Sequence, residues 1–100
     1  MAHTISQHWI QDRSDRANRI RAIGGTGNII ARVNIDRGHP NGPEIHCITD
    51  NAMIIVYNAW SGKQVTTMIA RPGQLRRYGI NIPNQIIVKA QQHQKMGYNY

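Results

Sequence analysis

Apolar and polar residues alternate through the middle of the chain in four short runs. Asn28 to Ile35 sets Ile29, Ala31, Val33 and Ile35 against Arg32 and Asn34, the two-residue period of a half-buried strand. Glu44–Thr49, Ala52–Asn58 and Lys63–Ala70 follow, and the run from Ala52 is apolar on both sides, which predicts a central strand. Asp50-Asn51 and Ser61-Gly62 are tight turns, so neighbouring strands are antiparallel and the sheet over residues 28–70 is a meander. The first connection, DRGHPNGP, is an exposed loop in which Pro40 forces His39 into extended backbone.

Helical patterns flank the sheet. Ile5, Trp9, Ile20 and Ile23 share one side of a helical segment over 4–23, with Thr4 and Ser6 as available caps and room for a break near Gln11. Asp12 before Arg16 and Asp15 before Arg19 support its solvated face. Gly24-Gly25-Thr26-Gly27 ends it. That cluster follows a helix and precedes a strand, the reverse of a phosphate-cradling loop. After the sheet come a basic turn over 71–79, with one helical turn from Gln74 to Tyr78, and a last helix over 83–95 that turns Ile86, Ile87 and Ala90 inward. The pattern predicts one α+β domain over 1–100: N-terminal helices packed on a four-stranded antiparallel β-meander, with a C-terminal helix.

Composition narrows the function. Twelve Lys and Arg against five Asp and Glu leave a net charge of +7, and nine of the twelve cations are arginine, whose planar fork matches phosphate oxygens. A polyanion is the expected partner, nucleic acid ahead of an acidic membrane or an acidic protein. No run reaches membrane-spanning length and no apolar signal segment opens the chain, so the expected location is the cytoplasm of its own or a target cell. The single cysteine, Cys47, excludes an internal disulfide and a two-thiolate zinc site, and within a strand it reads as a small apolar residue. Neither metal nor other cofactor is expected.

The alternation divides the sheet. One face collects Ile29, Ala31, Val33, Ile35, Ile45, Cys47, Met53 and Ile55 and is expected to pack on the N-terminal helices. The other collects Arg32, Asn34, Glu44, His46, Ile48, Ile54, Val56, Asn58, Thr66 and Met68 and has the composition of a cleft. Glu44 is the one acid on a strand, and His46 follows two residues on, about 6–7 Å away on the same side. A carboxylate and an imidazole so placed can flank a phosphate. An exposed polar patch accounts for the same pair. His39, on the loop beside that strand end, competes with His46 for a role. Arg71, Arg76 and Arg77 add guanidinium groups just after the fourth strand, as phosphate contacts in either case.

The string HCITDNAMIIVYNAWSGKQVTTMIARPGQLRRY, with its turn Ser61-Gly62-Lys63 leading to Arg71-Pro72, resembles the small RNase toxin domains of bacterial polymorphic toxins, of the barnase/EndoU/colicin/RelE-like ribonuclease superfamily. The resemblance covers roughly Ile5 to Tyr78. It implies metal-independent RNA cleavage: the 2′-oxygen attacks the adjacent phosphate, leaving a 2′,3′-cyclic phosphate and a 5′-OH. Carried onto this chain, His46 and His39 are acid–base candidates in either order, Glu44 an alternative base or orienter, Arg32 and Arg71 charge stabilisers, and Thr66 a hydrogen-bond donor to a phosphoryl oxygen. The residues depart from both better-defined arrangements. Lys63 lies remote from His46, unlike the two-histidine-and-lysine set, and Glu44 and His46 share one strand, unlike the barnase-like set. A toxin of this kind implies RNA, such as tRNA or mRNA, as target and an acidic immunity protein or antitoxin as partner. The alternative is a basic RNA- or DNA-binding module without chemistry, in which Trp60, Tyr78, Trp9 and Tyr57 stack on bases while arginines follow the backbone.

Overall fold

The computed structural model describes residues 14–97. Helix α1, described over residues 14–22, leads into strands β1 (Ile29–Ile35), β2 (Glu44–Thr49), β3 (Met53–Asn58) and β4 (Gln64–Ile69), then helices α2 (Pro72–Arg77) and α3 (Asn84–Lys95). The sheet runs β1-β2-β3-β4 with every pair antiparallel. The α+β class and the meander are those the alternation predicts. Readings that rest on Thr4, Ile5, Ser6, Trp9, Gln11 and Asp12 lie outside the described residues.

Register decides which face is which. Val33 pairs with His46, Ala31 with Ile48 and Ile35 with Glu44, while Arg32 pairs with Cys47. Paired residues share a face, so β1 stands in the opposite phase to the one expected. Arg32 and Asn34 belong to the Cys47 face, and Ala31 and Val33 to the His46 face. A period of two marks both faces of a strand equally, and the eight-residue loop into β2 leaves the choice between them open.

The His46 face is the core face rather than an open cleft. Ile48, Ile54 and Val56 pack there with Leu75 of α2 and with Ile86, Ile87 and Ala90 of α3, flanked by Ala31, Val33 and Met68. Fully burying a side chain such as Ile48, Ile54 or Leu75 stabilises the fold by about 1.5–3 kcal/mol. On the other face Cys47, Met53 and Ile55 are also buried.

Local chemistry sets the helix ends. Arg71 is extended before Pro72, its N–H faces the Gln74 side chain at 3.4 Å, and Pro72 opens α2. Tyr78 ends α2, and Gly79, at φ 68°, turns the chain away. Asn51 Nδ2, in the β2–β3 turn, donates to the carbonyls of Ile23 (3.0 Å) and Gly25 (2.6 Å), satisfying backbone acceptors where α1 ends. Arg16 Nη1 donates to Thr66 Oγ1 at 2.7 Å and to the Thr67 carbonyl at 3.3 Å, which holds α1 beside the β4 edge.

Two predictions test this packing. Leu75, with 0% exposure, is the α2 side chain in the core, so Leu75→Ala should lower the free energy of urea unfolding by about 2–5 kcal/mol. His93 is 4% exposed on α3, and its Nδ1 has no partner among the described residues. Burial, and secondarily the charge of Lys89, pushes its pKa below the usual histidine value. The neutral ring then contributes stability that is fully present above pH 6.5, the unfolded value, and fades as pH falls through the lower folded value. Thermal midpoints of the wild type should fall on acidification more steeply than those of His93→Leu.

Candidate functional site

The β1–β2 loop end of the sheet carries a polar cluster that begins in the buried layer. His46, on β2 between Val33 and Val56, is only 6% exposed. Its Nδ1 lies 2.7 Å from the Tyr78 hydroxyl and its Nε2 lies 3.1 Å from Glu44 Oε1. The two rings meet edge to face, centroids 5.6 Å apart. For a neutral ring, the tautomer that satisfies all three groups carries its proton on Nε2. Tyr78 O–H then donates to Nδ1, and Nε2–H donates to the carboxylate.

Burial pushes the Tyr78 phenol up to about 12, opposed by the positive charge of Arg37 and reinforced by Glu44. The phenol is therefore a firm neutral donor at physiological pH. Arg37 enters the site through this electrostatic reach. It had no signal in the sequence beyond standing two residues from His39 in the loop.

In front of the buried histidine, a cavity of about 580 Å³ is lined by Arg37, His39, Glu44, Asn58, Ile35 and Val65, among others. Glu44 is its link to the interior: 34% of its side chain is exposed, and one oxygen is held by His46. His39 is an exposed loop residue whose Nδ1 accepts the Asn41 N–H at 3.1 Å, so in the neutral ring the proton sits on Nε2. The loop is pinned to the β3–β4 turn. Asn58 Nδ2 donates to the Asn41 carbonyl at 2.7 Å, Ala59 N–H donates to the Pro43 carbonyl at 2.9 Å, and Asn58 Oδ1 accepts from the N–H groups of Trp60 and Ser61. Trp60, 73% exposed, lies across Gly42. A Cβ on Gly42 would stand 2.5 Å from the indole, and its φ of 100° also demands glycine, so the close approach of loop and indole depends on that residue.

The expected site residues therefore divide. Glu44 and His39 line one cavity at one end of the sheet, with His46 bonded to Glu44, Tyr78 bonded to His46, and Trp60 lying on Gly42 of the lining. Arg32 faces away, because its register partner is Cys47 and not His46. Thr66 shares the His46 row two strands over, where Arg16 holds its hydroxyl. Arg71 leaves β4 beside Ile69, which pairs with Met53, and that is the end opposite Glu44 and its partner Asn58. In a meander the end of β4 returns to the β2–β3 turn, so nearness in sequence to the basic segment did not carry Arg71 to the histidine. Arg71, Arg76 and Arg77 line a separate groove. Tyr78, expected as a base-stacking residue, is instead the hydrogen-bond partner of His46.

No family model matches this sequence, and no curated protein or solved structure is significantly similar to it. Among the described residues, no helix is long and apolar enough to cross a membrane.

Tyr78→Phe isolates the buried network. Its loss leaves a buried imidazole nitrogen unpaired, so stability near neutral pH should drop by about 1–3 kcal/mol. A folded-state pKa raised to about 12, above the ordinary 10.0, means that this contribution is present below pH 10.0 and is lost as pH climbs through about 12. Chemical denaturation across that alkaline range should show the decline in the wild type and a flatter curve in Tyr78→Phe.

Proposed function

We propose that this domain is a metal-independent endoribonuclease that cleaves RNA by transesterification, of the toxin type its sequence resembles. The observation that carries the reading is one cavity holding a carboxylate, an imidazole and a guanidinium, with the carboxylate oriented from behind by a buried histidine. In this reading Glu44 accepts the 2′-OH proton as the 2′-oxygen bonds to phosphorus. Protonated His39 donates to the 5′-oxygen as the phosphorus–oxygen bond breaks, giving a 2′,3′-cyclic phosphate and a 5′-OH. Arg37 offsets the charge that builds on the phosphoryl oxygens.

His46 acts through Glu44. With both ring nitrogens engaged and little exposure, it is a positioning residue, and Tyr78 keeps its ring in place. Trp60 offers an exposed indole, seated on Gly42 of the cavity lining, on which a base can stack. An acidic immunity protein or antitoxin that covers the basic surface belongs to the same proposal.

One observation favours the second reading, a non-cleaving RNA- or DNA-binding module: most of the arginines near the helices gather away from this cavity. The two readings separate in a simple assay. The purified protein, incubated with RNA in a chelator, should cut it to cyclic-phosphate ends and spare a site carrying a 2′-deoxy sugar. Glu44→Gln and His39→Ala should each slow cleavage by about 10²–10⁴-fold. Intact RNA at all protein concentrations, with salt-sensitive binding, would establish the binding module instead.

A further inference from the structure

Five of the nine arginines meet in one groove. Arg16 and Arg19 come from α1, and Arg71, Arg76 and Arg77 from the α2 segment. Gln91 and Gln94, both exposed, line the groove from α3, and Met68 and Ile69 line it from the end of β4. The space is about 780 Å³, and among the described residues neither a carboxylate nor an aromatic ring lines it.

Guanidinium groups so gathered raise the local positive potential and hold counterions that a polyanion would release. Five of them exceed what one small anion can engage, since a phosphate takes one or two planar forks. Arg16 is anchored by Thr66, so part of that charge is already in place before a ligand arrives. The glutamine amides add neutral donors. With no ring to stack on a base, the lining recognises phosphates and not sequence. A furrow between helices admits one strand, whereas a duplex presents its phosphates on a convex cylinder that meets only the rims.

We propose that this groove binds the phosphodiester backbone of single-stranded RNA irrespective of base sequence, as a site separate from the Glu44 cavity. Phosphate recognition there does not depend on the cleavage reading; only the choice of RNA over DNA does. The groove lies at the Ile69 end of β4 and the cavity at the Gln64 end, about 16 Å apart along the strand. A strand crossing α2 can occupy both.

The test uses a single-stranded 2′-O-methyl oligonucleotide, which has no free 2′-OH and stays intact whether or not the protein cleaves RNA. Fluorescence anisotropy across a salt titration gives the slope of log affinity against log salt. Arg76→Gln with Arg77→Gln should weaken binding and reduce that slope by about 1.4, at about 0.7 for each single-strand phosphate no longer neutralised. Gln91→Glu with Gln94→Glu, which removes no arginine, should weaken binding from the opposite wall. Both pairs are on exposed positions, and circular dichroism should show an unchanged fold. Oligo(A) and oligo(U) should bind alike. Wild-type slopes in both variants, a strong preference for one base or for duplex, or displacement by polyglutamate at equal charge would overturn the proposal, the last assigning the groove to an acidic protein. Intact natural RNA alongside the expected slopes would refute cleavage and leave the groove standing.

Discussion

The hydrogen bond from Tyr78 to His46 joins the end of α2 to the middle of the sheet, and the placement of the polar site rests on it. α2 is only six residues long and cannot be stable alone. It is held at one side by Leu75 in the core and at its end by the phenol that meets His46 Nδ1 at 2.7 Å. The same imidazole then turns its other nitrogen to Glu44. A polar chain thus runs from helix to buried ring to surface carboxylate, each member satisfied by the next. In a low-dielectric seam such a chain is worth more complete than in parts, because any gap strands a buried donor or acceptor.

Much of the fold was legible in the sequence, because alternation, turn residues and Pro72 or Pro83 at helix starts are local signals. β1, β2, β3 and β4 fall within a residue of their expected limits. What escaped depends on pairing at a distance. The phase of β1 against β2 is a choice between two equivalent registers as far as the β1 pattern goes, and it decided that Val33, not Arg32, stands beside His46. The role of Tyr78 was hidden for the same reason. It lies 32 residues from His46, and only the path of α2 back across the core face brings them together. Glu44 was legible as the one strand carboxylate. Its histidine was legible as a neighbour but not as a buried one, since the third dimension of the core face comes from α2 and α3.

Charge is partitioned along the molecule. At one end a carboxylate and two histidines stand with Arg37, and at the other five arginines gather with no acid among the described residues that line the groove. A uniform spread would serve solubility equally well and would avoid mutual repulsion. Of the guanidinium groups gathered in the groove none lines the Glu44 cavity, which leaves Arg37 as the described arginine that does. The separation is the arrangement that the two proposals require, a phosphate-binding groove set apart from the Glu44 cavity.

Loops usually position chemistry poorly, because they lack a repeating hydrogen-bond ladder. Here the loop that carries Arg37 and His39 is fastened at its far end by the β3–β4 turn, with Asn58 bonding to both segments through one side chain. The indole of Trp60 then lies on Gly42, where any larger residue would push the two turns apart. Rigidity at that contact is transmitted to His39 only three residues back, through the Gly42 N–H to His39 carbonyl bond at 2.9 Å. The loop is therefore held as an extension of the sheet, and His39 lines the Glu44 cavity from a supported backbone rather than from a free tether.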